Sequence, residues 1–129
     1  MRFRNLTPHA VRIRLDASNE AIPLESDVVV EVEKMPLRIA EKIEGAWVAD
    51  EERNIDVRHT VLGEIEGLPE EQEDVLLVVS MPVAERAYAL GRRDVVSPDS
   101  GKDAIRFKLP NGNEGIYAVR ALRYIDGGK

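Results

Sequence analysis

Several side chains in this sequence have types and spacings that could do chemistry. Asn5, Thr7 and His9 alternate through the run Asn5-Leu6-Thr7-Pro8-His9. The imidazole among them can both donate and accept a hydrogen bond. Ser80 follows the apolar run Val75 to Val79 and precedes Met81-Pro82. Its hydroxyl would stand beside the free N–H groups of a helix start, an arrangement suited to anions. Arg93, Asp94, Ser97 and Asp99 form the densest polar group and close on Ser100-Gly101. A guanidinium there could grip phosphate or carboxylate through two N–H donors, and a carboxylate could accept from ribose hydroxyls. Asn5, Thr7, His9, Ser80, Arg93, Asp94, Ser97 and Asp99 are therefore the candidate ligand-binding set.

Each of these residues also has a purely structural role open to it. Asn5, Thr7 and His9 could satisfy backbone groups of a tight turn, and Ser80 could be a plain N-cap. Arg93-Asp94 could be a helix exit, with Asp99-Ser100-Gly101 as a loop. His59 falls on the apolar face of its strand, as a core or interface histidine would. Glu64 and Glu66 have strand-like spacing that would suit acid–base work, or they belong to a solvated acidic loop. The chain has two histidines far apart and no cysteine, so no metal site and no cofactor is expected. No Gly-x-Ser-x-Gly elbow or phosphate-cradling Gly-rich Lys-Ser/Thr loop is present, and no catalytic residue is assigned.

The elements that must position these groups follow from hydrophobic period. Val75 to Val79 is an unbroken, β-branched apolar run, which predicts a strand covered on both faces. Pro82 suits a first helical turn, and Val83, Ala87 and Leu90 make one stripe, so a helix is expected over about 82–90, stopped by Gly91. Asp94 to Val96 is expected as a second short strand followed by a loop at Ser97 to Gly101. If the two strands are parallel, Ser80 and that loop leave the sheet at one edge, where open α/β sheets bind ligands.

Elsewhere, Arg2 to Leu6 and Ala10 to Leu15 read as strands, the second with Val11, Ile13 and Leu15 inward and Arg12 and Arg14 outward. The first hairpin is expected to close with Glu20 to Leu24. Val28 to Glu33 alternates, Pro36 marks an edge or break, and Leu37 to Ile43 fits neither period. Gly45 to Val48 and Ile55 to Leu62 read as strands, and Gly63 to Glu73 as an acidic connection. Ala104 to Leu109 and Tyr117 to Ala121 form a hairpin around Asn111-Gly112, and Ile125 to Lys129 is expected to fray. The expected fold class is α+β: one domain over residues 1–129, a largely antiparallel sheet, one main helix and a local βαβ unit.

At 129 residues the chain is long enough to bury a core without staples, and the lack of cysteine fits a reducing, cytoplasmic setting. A net charge of −6 argues against general nucleic-acid binding, and no membrane segment is expected. Arg2, Arg4, Arg12 and Arg14 crowd the first sixteen residues, whereas Glu64 to Asp74 is acidic. These are two solvated surfaces of opposite sign, or the arginines furnish an anion site.

Asn5-Leu6-Thr7-Pro8-His9, Gly67-Leu68-Pro69-Glu70-Glu71-Gln72, Val78-Val79-Ser80 and Arg93-Asp94-Val95-Val96-Ser97-Pro98-Asp99 together resemble a family of small uncharacterised proteins of bacteriophages, prophages and bacteria. The chain departs from the family pattern at Glu71, where Pro is expected, and in its longer, charged hairpin. The resemblance implies no established activity. It motivates an expectation of non-catalytic capture of a small anionic ligand, such as a nucleotide-derived signal in an anti-defence role. Two alternatives are a protein–protein module or inhibitor using the acidic loop, and a small hydrolase or transferase with His9 as base and Asp94 or Asp99 as helper. An exposed edge strand would also permit a homo-oligomer.

Overall fold

The structure, a computed structural model, describes residues 1–35 and 37–128. The expected break at Pro36 and the last residue of the frayed tail, Lys129, lie outside the described residues. The fold is α+β, with most strands in antiparallel pairs and one sheet that contains parallel pairs.

The strands in chain order are β1 (Arg2–Asn5), β2 (Val11–Ile13), β3 (Val28–Val30), β4 (Arg38–Asp50), β5 (Ile55–Glu66) and β6 (Val75–Val78). Helix α1 (Met81–Ala89) follows, then β7 (Val95–Pro98), β8 (Ile105–Lys108), β9 (Glu114–Ala118) and β10 (Leu122–Arg123). The main sheet has the order β1-β6-β7-β10. β1 and β7 both run parallel to β6, and β10 pairs antiparallel with β7.

The apolar run becomes the central strand because both of its faces are covered. Val75, Leu77 and Val79 join Leu6, Val83, Ala84, Ala87 and Val95 beneath the helix. The alternate residue Val78 joins Val11, Ile13, Val96 and Val119 on the opposite face. A period of two thus divides one sequence run between two half-cores. The helix buries Val83, Ala84 and Ala87, whereas Leu90 caps its end and is exposed, contrary to the expected stripe. Gly91 adopts a φ of +92°, and its N–H, like that of Arg92, returns to a carbonyl of the last turn.

Several expectations are corrected. The partner of β2 is β3 rather than Glu20 to Leu24, and β1 lies parallel to β6. Ser97 and Pro98 belong to β7 because β10 supplies a ladder for them, Ser97 opposite Arg123 and Pro98 opposite Leu122. Residues 38–50 form one strand, and Gly63 to Glu66 extends β5 instead of opening a loop. Ile105, Ala118 and Val119 are buried, while Phe107, Leu109 and Ile116 lie on the exposed reach of the β8–β9 hairpin.

The β4–β5 ribbon is an arm. Ile39 and Ile65 at its base pack against the helix-side core, and Arg86 donates to the Gly63 carbonyl at 2.7 Å. Beyond the base, Ile43, Trp47, Val48, Ile55, Val57, Val61 and Leu62 are exposed. His59 is exposed as well, so it is not a core histidine.

Candidate functional site

The parallel strands β1, β6 and β7 end on one edge, and a cleft of about 340 Å³ opens there. Its floor is the strand exits at Val79-Ser80-Met81 and Ser97-Pro98, with Ser100 beside them. Its walls are the Thr7–Arg12 turn and the end of β9 from Ile116 to Val119. A larger open hollow of about 540 Å³ lies across Thr7 and Ser80, lined mainly by apolar residues together with Glu33 and Lys34. The smaller cleft gathers His9, Arg12, Tyr117 and three serines, and its size falls within the range of small-molecule sites.

The turn is fixed by Asn5, a buried side chain. Its amide donates to the carbonyls of His9 at 2.8 Å and Val30 at 2.9 Å, and its oxygen accepts from the Thr7 N–H and hydroxyl at 2.9 and 2.6 Å. Asn5 is consequently saturated, and it orients Thr7 and His9 instead of touching a ligand. The Thr7 hydroxyl is also within 2.7 Å of the His9 carbonyl. The His9 imidazole is exposed at the rim and makes no side-chain hydrogen bond among the described residues.

Ser80 occupies the N-cap of α1, but its hydroxyl makes no capping hydrogen bond. The helix start is supported by the carbonyl, which accepts from the Ala84 N–H at 2.9 Å. The Ser80 hydroxyl is free to face the cleft alongside the buried Ser97 and the exposed Ser100. Arg106 steadies the Ser100 side by donating to the carbonyls of Ser100 and Gly101 at 2.9 and 3.1 Å. Its buried Nη1 has no partner among the described residues.

The remaining expected residues are elsewhere. Arg93 and Asp94 precede β7, at the end of the strand away from the cleft. Arg93 lies 3.7 Å over the Tyr88 ring, and the Asp94 carboxylate accepts two hydrogen bonds from Arg92 at 2.8 Å. Arg92 also donates to the Pro69 carbonyl, so this cluster ties the acidic connection to the sheet. Asp99 accepts from the Gly101 N–H at 3.0 Å and faces Arg123 at 3.4 Å. The sheet therefore unites Thr7, His9, Ser80 and Ser97 at one edge, and it separates Arg93 and Asp94 from them by the length of a strand. Asp94 is in no position to assist His9.

The cation of this cleft is one of the amino-terminal arginines whose alternative reading was an anion site, although sequence reasoning did not place it at this sheet edge. Arg12 lines it, with its guanidinium 5.3 Å from the centre of the Tyr117 ring, another lining residue. Arg12 shares Asp27 with Arg14 at 3.0 and 2.7 Å. One carboxylate faces two guanidiniums, so the cluster keeps one unit of positive charge. Arg14 and Asp27 are wholly buried, which leaves the partly exposed Arg12 to present that charge. The register that pairs Ile13 with Val28 continues to Arg14 and Asp27, so the hairpin pairing was the signal that would have revealed the triad.

Among the described residues no cluster of His, Cys, Asp or Glu is arranged to hold a metal ion, and no helix is long and apolar enough to cross a membrane. No protein-family model, curated protein or solved structure matches this chain.

Proposed function

We propose that the protein captures a small anionic molecule with an aromatic portion, a nucleotide or nucleotide-derived signal, in the cleft at the ends of β1, β6 and β7. The observation that carries this reading is the surplus charge of the Arg12–Asp27–Arg14 cluster, delivered through Arg12 beside Tyr117. Ser80, Ser97 and Ser100 add hydroxyls that can donate to phosphate oxygens, and Tyr117 adds a ring against which a base can lie. Binding without turnover suits the site, because the carboxylates of Asp94 and Asp99 are engaged by Arg92 and Arg123. The resemblance to small phage-encoded proteins makes removal of a host signal a fitting biological use.

Thermal-shift measurements with nucleoside monophosphates, cyclic dinucleotides and inorganic phosphate test this reading. A ligand at about a hundred times its dissociation constant stabilises the fold by roughly 2.7 kcal/mol. Arg12→Met should abolish the shift, Ser80→Ala and Ser97→Ala should reduce it, and Arg93→Ala should leave it intact. A shift that survives Arg12→Met and disappears with Arg93→Ala would move the site to the other end of β7 and defeat the proposal.

A further inference from the structure

The β4–β5 arm is about 40 Å long at roughly 3.3 Å per residue, and among the described residues it is covered only at its base. A two-stranded ribbon in water is marginal by itself. This one also exposes Trp47, Val57, Ile55 and Val61 on one side and Ile43, Val48 and Leu62 on the other. Both of its outer edges lack a neighbouring strand among the described residues.

The two edges differ. β4 carries an additional residue between Ile43 and Gly45 and again between Val48 and Asp50, and such bulges bend a strand and disrupt its free edge. β5 carries its one additional residue near the base, between Leu62 and Ile65, and from Ile55 to Thr60 its own backbone alternates regularly. It is the edge fit for another strand.

We infer that β5 pairs antiparallel with β5 of a second copy of this chain about a two-fold axis at Val57, joining two arms into a four-stranded ribbon. In that register each residue meets the one equally far on the other side of Val57. Asp56 of each copy then faces Arg58 of the other, twice by symmetry, and Val57 meets itself. Within the chain neither Asp56 nor Arg58 has an ion-pair partner among the described residues. Opposite charges directly across an antiparallel pair stabilise it and like charges oppose it. This complementarity selects a second copy over an unrelated strand, and it sets Trp47 and Val57 of one copy in one row with Val57 and Trp47 of the other across the four strands.

Sedimentation equilibrium of the full chain should show a dimer or an assembly built from dimers. Arg58→Asp gives an edge with two acids and Asp56→Arg an edge with two bases. Each variant alone should dissociate about tenfold more readily, from two lost cross-strand pairs, while an equimolar mixture should re-form the dimer as a heterodimer. The chain has no cysteine, so Val57→Cys should form a disulfide-linked dimer on mild oxidation, with circular dichroism confirming that the variant is folded. A wild-type monomer at all concentrations would overturn the inference. So would a mixture of the two charge variants that stays monomeric, or cross-linking through Ile43→Cys in place of Val57→Cys.

Discussion

Arg14 and Asp27 form a fully buried ion pair at 2.7 Å, and the same guanidinium closes the loop between them. It donates to the carbonyls of Ser18 at 2.9 Å, Glu20 at 3.0 Å and Ile22 at 2.8 Å. One planar side chain thus organises a stretch with no regular secondary structure. Arg14→Met should cost about 3 kcal/mol, because it leaves Asp27 buried without its closest charge and frees three carbonyls. Arg12→Met removes a partly exposed partner and should cost much less, while under the proposed function it should eliminate ligand binding. Urea denaturation of the two variants checks the contrast, and equal losses would contradict the division of roles between the two arginines.

Acid should test the same pair. The hydrogen bond from Arg14, followed by those from the Leu24 N–H and from Arg12, outweighs burial and holds the Asp27 carboxyl down at about 2. An unfolded aspartate titrates near ~3.9. The native state therefore binds fewer protons than the unfolded state in this interval. The stabilisation is complete above the unfolded value and is lost as pH falls from there towards the folded value. Glu33, lowered by its hydrogen bonds from Arg4, acts in the same direction. Unfolding midpoints measured from about pH 5 down to about pH 2 should fall more steeply for the wild type than for Asp27→Asn.

The legible parts of the fold are those governed by one strong local signal. Val75 to Val79 was recognisable as a two-faced strand, Pro82 and Gly91 delimited α1, and Asn111-Gly112 marked the last hairpin. Residues 38–50 were opaque because two inserted residues, one between Ile43 and Gly45 and one between Val48 and Asp50, break the alternation that marks a strand. The apolar face of β5 suggested burial, yet among the described residues no element of the chain covers it beyond the base of the arm. In the site, Thr7, His9, Ser80 and Ser97 were recoverable because parallel strands bring their carboxyl ends together. Arg93 and Asp94 were misplaced since a strand's two ends are chemically similar in sequence but lie on opposite edges of a sheet. Arg12 entered only as one of four amino-terminal arginines, and its meeting with Tyr117 was missed because it depends on β9 reaching β2, a contact far apart in the chain.

The two half-cores predict unequal sensitivities along α1 and β6. Leu77 is 1% exposed and lies beneath the helix, so Leu77→Ala should cost about 3 kcal/mol and lower Tm by roughly 10 °C. Leu90 is 46% exposed at the C-cap, and Leu90→Ala should change stability by no more than about 0.5 kcal/mol. Scanning calorimetry of the two variants distinguishes the observed packing from the expected helical stripe, in which both leucines would have mattered.

Gly115 faces Phe107 across the β8–β9 pair, and a Cβ on Gly115 would come within 2.7 Å of the ring. The ring therefore occupies the space that a side chain at 115 would fill. Gly115→Ala should cost about 1 kcal/mol in the wild type, because Phe107 must leave its position on a half-exposed hairpin. In a Phe107→Ala background the same substitution should be neutral or stabilising, since the clash is gone and alanine restricts the unfolded chain more than glycine does. A double-mutant cycle measured by chemical denaturation would give a coupling of about 1 kcal/mol if the contact is responsible. Equal costs in the two backgrounds would place the requirement for glycine in the backbone and not in the ring.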